Sequence, residues 1–288
     1  MKIGVIYPQN DLGGDPRAVG RIGLATEELG FDHLLAYDHV VGATHDREPK
    51  LNGPYTENDP FHDPFVMFAY LAAITSRIGF MTGVLILPQR QTVLVARQAA
   101  DVDLLSNERL TLGVGIGWNY VEYDALGQDF STRGKRQEEQ IGLLRQLWTE
   151  PLVEFDGQFD KVDRAALNPK PKRSIPIWCG GFADIALQRA VRIGDGFICA
   201  DGAADAFAQA ERVRELMREY GRSGPFGLQC NMLKAKTPDA VVDTAKRWQD
   251  AGGTSAAFHT MGQDFSSTED HLDYMKRVAD AVRVAGLL

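Results

Sequence analysis

Apolar residues fall along this chain in short unbroken runs, separated by longer stretches in which they recur every three or four positions. Unbroken runs mark strands buried on both faces, as in parallel sheets covered by helices, whereas half-exposed strands alternate. The clearest pair lies at residues 78–88 and 110–115, joined by a helical pattern at 91–105 and followed by Gly115-Ile-Gly-Trp-Asn119. The turns after both strands hold small residues, where a ligand can come close to the backbone.

The same alternation runs from end to end. Strands are predicted at 2–7, 33–37, 78–88, 110–115, 175–179, 196–200, 226–233 and 254–259, and helices at 16–29, 64–76, 91–105, 121–126, 134–148, 183–193, 203–220, 238–251 and 268–285. Asp15-Pro16 supplies an N-cap with proline at the first helical position, and Gly30 suits the left-handed residue that ends the helix. Two polar stretches interrupt the pattern: 40–63 after the second strand, and 150–172 after the fourth. Within the latter, 152–155 and 158–162 flank Asp156-Gly157 and read as a hairpin with a two-residue type I′ turn. Eight βα units in 288 residues predict an α/β fold, a single (β/α)8 TIM barrel over residues 1–288 with insertions after strands two and four, in preference to an open doubly wound sheet.

Composition narrows the partners. A net charge of −8 argues against nonspecific nucleic-acid binding and against an anionic membrane surface. Cys179, Cys199 and Cys230 are odd in number and lack metal-ligand spacing, so buried free thiols in a reducing cytoplasm are expected. The chain opens directly into a strand without a signal-peptide pattern, and the apolar run 65–74 is too short to span a bilayer. The expected partner is a small molecule.

Candidate chemistry gathers at strand ends. Asp38-His39 closes the second strand at the C-terminal face, where barrel enzymes keep their active sites, and imidazole suits acid–base work near neutral pH. The competing reading is a histidine bonded within its own loop. The Gly115 to Asn119 turn lacks dinucleotide-fingerprint spacing; its glycines suit close approach of a ligand to the backbone, and Asn119 either caps the next helix or bonds that ligand. Gly180-Gly181 precedes a helix whose free N–H groups favour an anion, or it is a plain turn. His45, His62, Asp46, Asp59 and Asp63 crowd one loop without recognised ligand spacing, so no metal is expected.

Several stretches together resemble the luciferase-like (bacterial luciferase) flavin/F420 oxidoreductase superfamily, most closely its actinobacterial F420-dependent branch. They are Glu28-Leu-Gly-Phe-Asp32, Asp38-His39, Thr82-Gly-Val-Leu-Ile-Leu-Pro88, Ala96-Arg-Gln-Ala-Ala-Asp-Val-Asp-Leu-Leu-Ser106, Arg109-Leu-Thr-Leu-Gly-Val-Gly-Ile-Gly-Trp-Asn119, Leu126-Gly-Gln-Asp-Phe-Ser-Thr-Arg-Gly134 and Ile175-Pro-Ile-Trp-Cys-Gly-Gly181. The resemblance implies the same barrel and a ring lying over the bulged end of strand three, where a non-prolyl cis peptide by analogy falls at Gly83–Val84. It implies cofactor contacts at Thr82, Gly83, Val84, Gly115, Gly117, Asn119, Gly180 and Gly181, with His39 and Asp38 in the chemistry. The implied activity is hydride transfer between coenzyme F420 and a small organic substrate, in a homodimer. The alternative is an FMN-dependent monooxygenase using reduced flavin and O2, with a partner flavin reductase. A cofactor-free binding barrel would fill the ring site with bulky or charged groups, whereas Gly83, Gly115 and Gly117 leave it open.

Overall fold

The computed structural model describes residues 1–202 and 204–288. In chain order the elements are β1 (Lys2–Ile6), α1 (Pro16–Glu28), β2 (His33–Ala36), α2 (Pro64–Ile74), β3 (Gly79–Thr82), β4 (Leu85–Ile86), α3 (Thr92–Leu105), β5 (Leu110–Gly115), α4 (Tyr120–Ala125) and α5 (Arg133–Thr149). Then follow β6 (Val153–Asp156), β7 (Lys161–Ala165), β8 (Ile177–Gly180), α6 (Asp184–Ile193), β9 (Gly196–Ala200), α7 (Ala206–Glu219), β10 (Gly227–Met232), α8 (Pro238–Asp250), β11 (Ser255–His259) and α9 (Thr268–Val284). The expected start of the helix that became α7, Ala203, lies outside the described residues.

Eight strands, β1, β2, β3, β5, β8, β9, β10 and β11, pair in that order, all parallel, and β11 returns to β1. This is the closed (β/α)8 barrel, which has no free sheet edge. Ile6, Leu35, Met81, Ile198 and Ala257 fill its interior, while a larger apolar layer packs between strands and helices. The helices start where their caps dictate. Asp15, Asp63 and Thr237 each accept a hydrogen bond from the first-turn backbone, and each is followed by proline. An oxygen acceptor there satisfies N–H groups that the helix itself leaves free.

The third strand departs from the expected continuous run. It breaks after Thr82, resumes as β4 and ends in a 3-10 turn over Leu87–Gln89. Met81 sits opposite Thr111 and Leu85 opposite Val114, so four steps on this strand face three on β5. The extra residue is a β-bulge, a device that re-aims side chains at a barrel rim. The Gly83–Val84 peptide within it is cis.

The hairpin corrects the sequence expectation. Asp156 pairs with Lys161, so residues 157–160 form a four-residue loop, not a type I′ turn on Asp156-Gly157. Neither central residue of that expected turn has the positive φ it needs. The cause is remote in sequence. The Glu139 carboxylate on α5 accepts the backbone N–H groups of Gln158, Phe159 and Asp160 at 2.7–2.9 Å and opens the tip around itself. The hairpin follows α5, and its tip reaches the start of α3, where Thr92 Oγ1 donates to Asp160 at 2.6 Å.

A second carboxylate ties the opposite end of the barrel. Glu27, in the last turn of α1, accepts the N–H groups of Ser76, Arg77 and Ile78 as α2 turns into β3. Burial works against its charge, but these donors outweigh it and bring Glu27 down to about 2. A carboxylate depressed on folding stabilises above its unfolded value and loses that contribution as pH falls toward the folded one. Glu27→Gln is therefore expected to cost about 1 kcal/mol at neutral pH, since the site is partly solvated. The gap between variant and parent should close between roughly pH 4.5 and pH 2. Urea denaturation at stepped pH checks this; a gap as wide at pH 2 as at neutral pH contradicts it.

Candidate active site

The open C-terminal ends of β2, β3, β5 and β8 converge on one mouth. Strand β2 stops at Ala36, and Tyr37, Asp38 and His39 follow it directly. Asp38 is buried with no exposed side-chain surface. Its Oδ1 accepts Arg90 Nη2 at 2.7 Å, and its Oδ2 accepts the Ile86 N–H at 2.9 Å and lies 3.4 Å from Arg90 Nε. Converging N–H groups of this kind are the donor set of a carboxylate. Burial pushes Asp38 up, against the pull of Arg90 and the Ile86 N–H. Burial also opposes charge on Arg90, but Asp38 and Asp63 outweigh it and hold Arg90 above its ordinary value.

This ion pair braces the bulge. Ile86 is the second residue of β4, just beyond Gly83–Val84, and Arg90 follows the 3-10 turn. Arg90 Nη2 also donates to Asp63 at 3.1 Å, while the other oxygen of Asp63 caps α2. Gln140 on α5 donates to the Arg90 carbonyl at 3.0 Å and to Thr92 Oγ1 at 3.0 Å. One guanidinium thus joins the end of β2, the bulged strand and the start of α2.

The bulge presents Val84 to the mouth. A Cβ added at Gly115 or Gly180 would overlap the Val84 side chain, so Val84 lies across the ends of β5 and β8. Glycine is needed at both positions for that close approach. Thr82 offers no free hydroxyl, because its Oγ1 donates to Gly113 O at 2.6 Å and bridges β3 to β5. Gly117 turns the chain with φ 64°. Asn119 is buried and caps α4, accepting the Val121 N–H at 3.1 Å. Beyond β8, Gly181 has φ 153°, and the α6 N-cap, Ala183, provides no side-chain acceptor. Ala186 N–H already donates to Ala183 O at 2.8 Å, which leaves the Asp184 and Ile185 N–H groups to meet an anion beside Gly180-Gly181, next to the Asp184 carboxylate of the same turn.

His39 stands at the edge of this platform. Its Nδ1 lies 3.1 Å from Glu122 Oε2, and Glu122 Oε1 accepts the Val40 N–H at 2.6 Å. Glu122 is buried, so it fixes the imidazole tautomer, with Nδ1 toward the carboxylate and Nε2 left for exchange. The ring is walled by Phe61, Tyr55 and Trp118, at centroid distances of 4.6, 5.2 and 5.6 Å. Tyr55 and Phe61 belong to the 40–63 insertion, which folds back over the site. Gly53 lets it pack on Trp118, and the Tyr120 hydroxyl donates to Pro49 O.

The structure thus brings His39, Gly83, Val84, Gly115, Gly117, Gly180 and Gly181 to one end of the barrel and assigns visible hydrogen bonds to Asp38, Thr82 and Asn119. His45 bonds Tyr55 O, Asp59 bonds Asn10 and Thr56, and Asp63 is paired as above. Among the described residues no group of three or more histidine, cysteine or acidic side chains is placed to hold a metal. Arg90, Glu122, Tyr55 and Phe61 were not singled out from the sequence. Asn119-x-x-Glu122 does carry a signal: an N-cap followed by an acid three residues on predicts a capping box. Here Asn119 caps, but Glu122 turns to His39 instead of to the cap.

The profile of the luciferase-like monooxygenase family matches residues 1–285. An uncharacterised protein of Mycobacterium tuberculosis is 33% identical over 90% of this chain and 92% of its own. An F420-dependent glucose-6-phosphate dehydrogenase of Gordonia bronchialis is 29% identical over 94% of this chain and 78% of its own. The pyrimidine monooxygenase RutA of Variovorax paradoxus is 30% identical over 84% of this chain and 65% of its own. Among solved structures, monooxygenase RslO1 from Streptomyces bottropensis superposes with a TM-score of 0.81 at 17% identity, covering 99% of this chain and 100% of that one. An F420-dependent secondary alcohol dehydrogenase superposes with a TM-score of 0.79 at 17% identity, covering 98% of this chain and 99% of that one.

Removing the guanidinium should expose what the brace does. Arg90→Ala leaves Asp38 buried without its cation and is expected to cost about 3–5 kcal/mol. Replacing both residues by leucine should cost less than Arg90→Ala alone. Chemical denaturation of the two variants checks this, and an Arg90→Ala loss below about 1 kcal/mol contradicts it.

Proposed function

The chain belongs to the luciferase-like monooxygenase family, and from that premise we propose that it is an F420-dependent oxidoreductase moving a hydride between the deazaflavin and a small organic substrate. The observation that carries the reading is the braced bulge: Val84 lies across Gly115 and Gly180, at the same end of the barrel as His39 on its Glu122 partner and as an α6 start without a side-chain cap. The residues present fit such a cofactor. An apolar platform suits a ring, and the Gly180-Gly181 backbone with the first N–H groups of α6 suits a phosphate. F420, when bound, supplies the hydride.

The chain's own residues do the rest. Asp38 and Arg90 hold the platform. Glu122 holds His39 Nδ1, so Nε2 is the atom that gives or takes the substrate proton. Tyr55, Phe61 and Trp118 keep water from the imidazole. The relationship to the Gordonia bronchialis F420-dependent enzyme over 94% of the chain supports F420. A second reading, an FMN-dependent monooxygenase served by a flavin reductase, is favoured by the comparable identity to RutA.

We also propose a homodimer built on α2. This helix is apolar all round, PFVMFAYLAAI, yet Val66 is 69% and Tyr70 50% exposed. A helix of that composition belongs in an interior. Val93 and Leu94 of α3 are also exposed. A cytoplasmic setting is in keeping with three buried free thiols and with the absence, among the described residues, of any helix long and apolar enough to cross a membrane.

Three measurements follow. Titration of the purified protein should show F420 binding in preference to FMN; preference for FMN moves the assignment to the second reading. His39→Ala is expected to keep F420 affinity within about twofold while turnover falls by about 10²–10⁴; unchanged turnover removes His39 from the chemistry. Sedimentation should give a dimer that Val66→Asp converts to monomer, and a parent that sediments as a monomer contradicts the interface.

A further inference from the structure

The end of the barrel opposite the candidate active site is not filled. Two positions before the interior residues Ile6, Leu35, Met81, Ile198 and Ala257 stand Gly4, His33, Gly79, Gly196 and Ser255. Side chains alternate along a strand, so these positions form the next inward layer toward the strand starts. Rings cover three glycines at this level. A Cβ at Gly4 would fall 2.4–2.6 Å from atoms of the His33 imidazole, and one at Gly196 or Gly227 would overlap the Trp178 indole. Gly79 has no such cover: the nearest atoms to a Cβ there lie at 3.5–3.6 Å. A cavity of about 400 Å³ opens beside it, with His33, Met81, Thr111, Trp178 and Ser255 in its inner lining. Barrels ordinarily fill such layers with bulky branched side chains, and a space of this size is that of a small-molecule site.

The inner lining is polar but uncharged. His33 is 6% exposed and Ser255 3%, and among the described residues neither His33 Nε2 nor Ser255 Oγ has a hydrogen-bond partner. Buried polar atoms are ordinarily satisfied, so two in the lining of one cavity call for an occupant. Burial, with Lys2 nearby, brings His33 down to about 4, so at neutral pH the imidazole offers one donor and one acceptor. The Ser255 and Thr111 hydroxyls each give and take in the same way. Trp178, half-buried, adds an aromatic surface.

The charges stand at the opening and come in both signs. Arg109 spends its N–H groups on the Thr75 hydroxyl and on the carbonyls of Ala72, Thr75, Ile78 and Ser106. Arg77 donates to the carbonyls of Glu27 and Phe31, and Arg173 to Asp103 and Leu110 O. Asp32 accepts the Ile3 N–H at 2.8 Å, and Lys2 and Glu108 add one exposed charge of each sign. With Asp103 and Glu27 just behind, the acids at this end offset the cations. An ionised ligand would find no excess of counter-charge at the opening, and its inner part would meet only neutral groups, which is costly for a charge.

We infer that this cavity is a second ligand site, at the other end of the strands from the proposed cofactor platform, for a small uncharged heteroaromatic ring with a donor and an acceptor on one edge. The ring packs on Trp178 in the space beside Gly79, and its polar edge meets His33 and Ser255. The inference does not depend on the cofactor reading, because neither its residues nor its ligand belong to that platform.

The test is calorimetric titration of the whole protein with 2-pyridone, which carries N–H and C=O side by side, and with benzoate, an anion of similar size. 2-Pyridone should bind saturably and benzoate should not. Gly79→Leu places a side chain in the cavity and should abolish the binding; a Cβ there meets only ordinary contacts, so the barrel should accept it. His33→Phe keeps a ring over Gly4 but removes the nitrogens, and should weaken binding about threefold to tenfold, as loss of one neutral hydrogen bond does. Cooperative urea unfolding shows that each variant is folded, and if Gly79→Leu is not, His33→Phe decides alone. Benzoate binding in place of 2-pyridone overturns the inference, as does no binding of either probe. So does 2-pyridone binding that a folded Gly79→Leu leaves intact, or an affinity that His33→Phe leaves unchanged.

Discussion

Asp38 has no exposed side-chain surface, and its charge is tolerable only because Arg90 meets it with a fork of N–H groups. Uncompensated, a buried carboxylate costs several kcal/mol. The pair does more than cancel. It ties Asp38, two residues past β2, to the strand that resumes after the bulge, through the Ile86 N–H, and to the cap of α2 through Asp63. A bulge would otherwise be the loosest part of a barrel rim, with an unpaired residue and a bent strand. Here both its exit and its flanking turn are clamped, so Val84 is aimed by the fold and not by a ligand.

From that clamp the rest of the site can be followed outward. Val84 reaches across β5 and β8 only because Gly115 and Gly180 carry no side chain. The same two strands then lead into the Gly117 turn and the uncapped start of α6. On the other side Asp38 and His39 are adjacent in the chain but differ in role. Asp38 is turned into the rim, and His39 is held at the mouth by Glu122. The 40–63 insertion supplies Tyr55 and Phe61 to the same histidine, so a segment without regular structure closes the site over a rigid base.

Much of the architecture could be read from the chain because it is written locally. Unbroken apolar runs mark the strands, and Asp15-Pro16, with its repeats at Asp63-Pro64 and Thr237-Pro238, marks helix starts whose satisfaction involves only neighbouring N–H groups. What escaped is long-range. Arg90 looks like a surface cation at a helix start until the fold places it 2.7 Å from a residue 52 positions earlier. Glu122 lies 83 positions from His39 and resembles a capping residue. The hairpin tip was misread for the same reason: Asp156-Gly157 carries type I′ chemistry, but Glu139 draws three amides of the tip to itself. Local turn preference, worth about 1 kcal/mol, yields to several charge-assisted hydrogen bonds.

We propose the clamped bulge and the two glycine turns beside it as the cofactor platform. Hydrogen–deuterium exchange with and without saturating F420 tests it directly. Added protection should concentrate in residues 82–86, 115–119 and 180–186, with little change along α7 and α8. Tight F420 binding that leaves those three segments unprotected, or that protects a different end of the barrel, would contradict it.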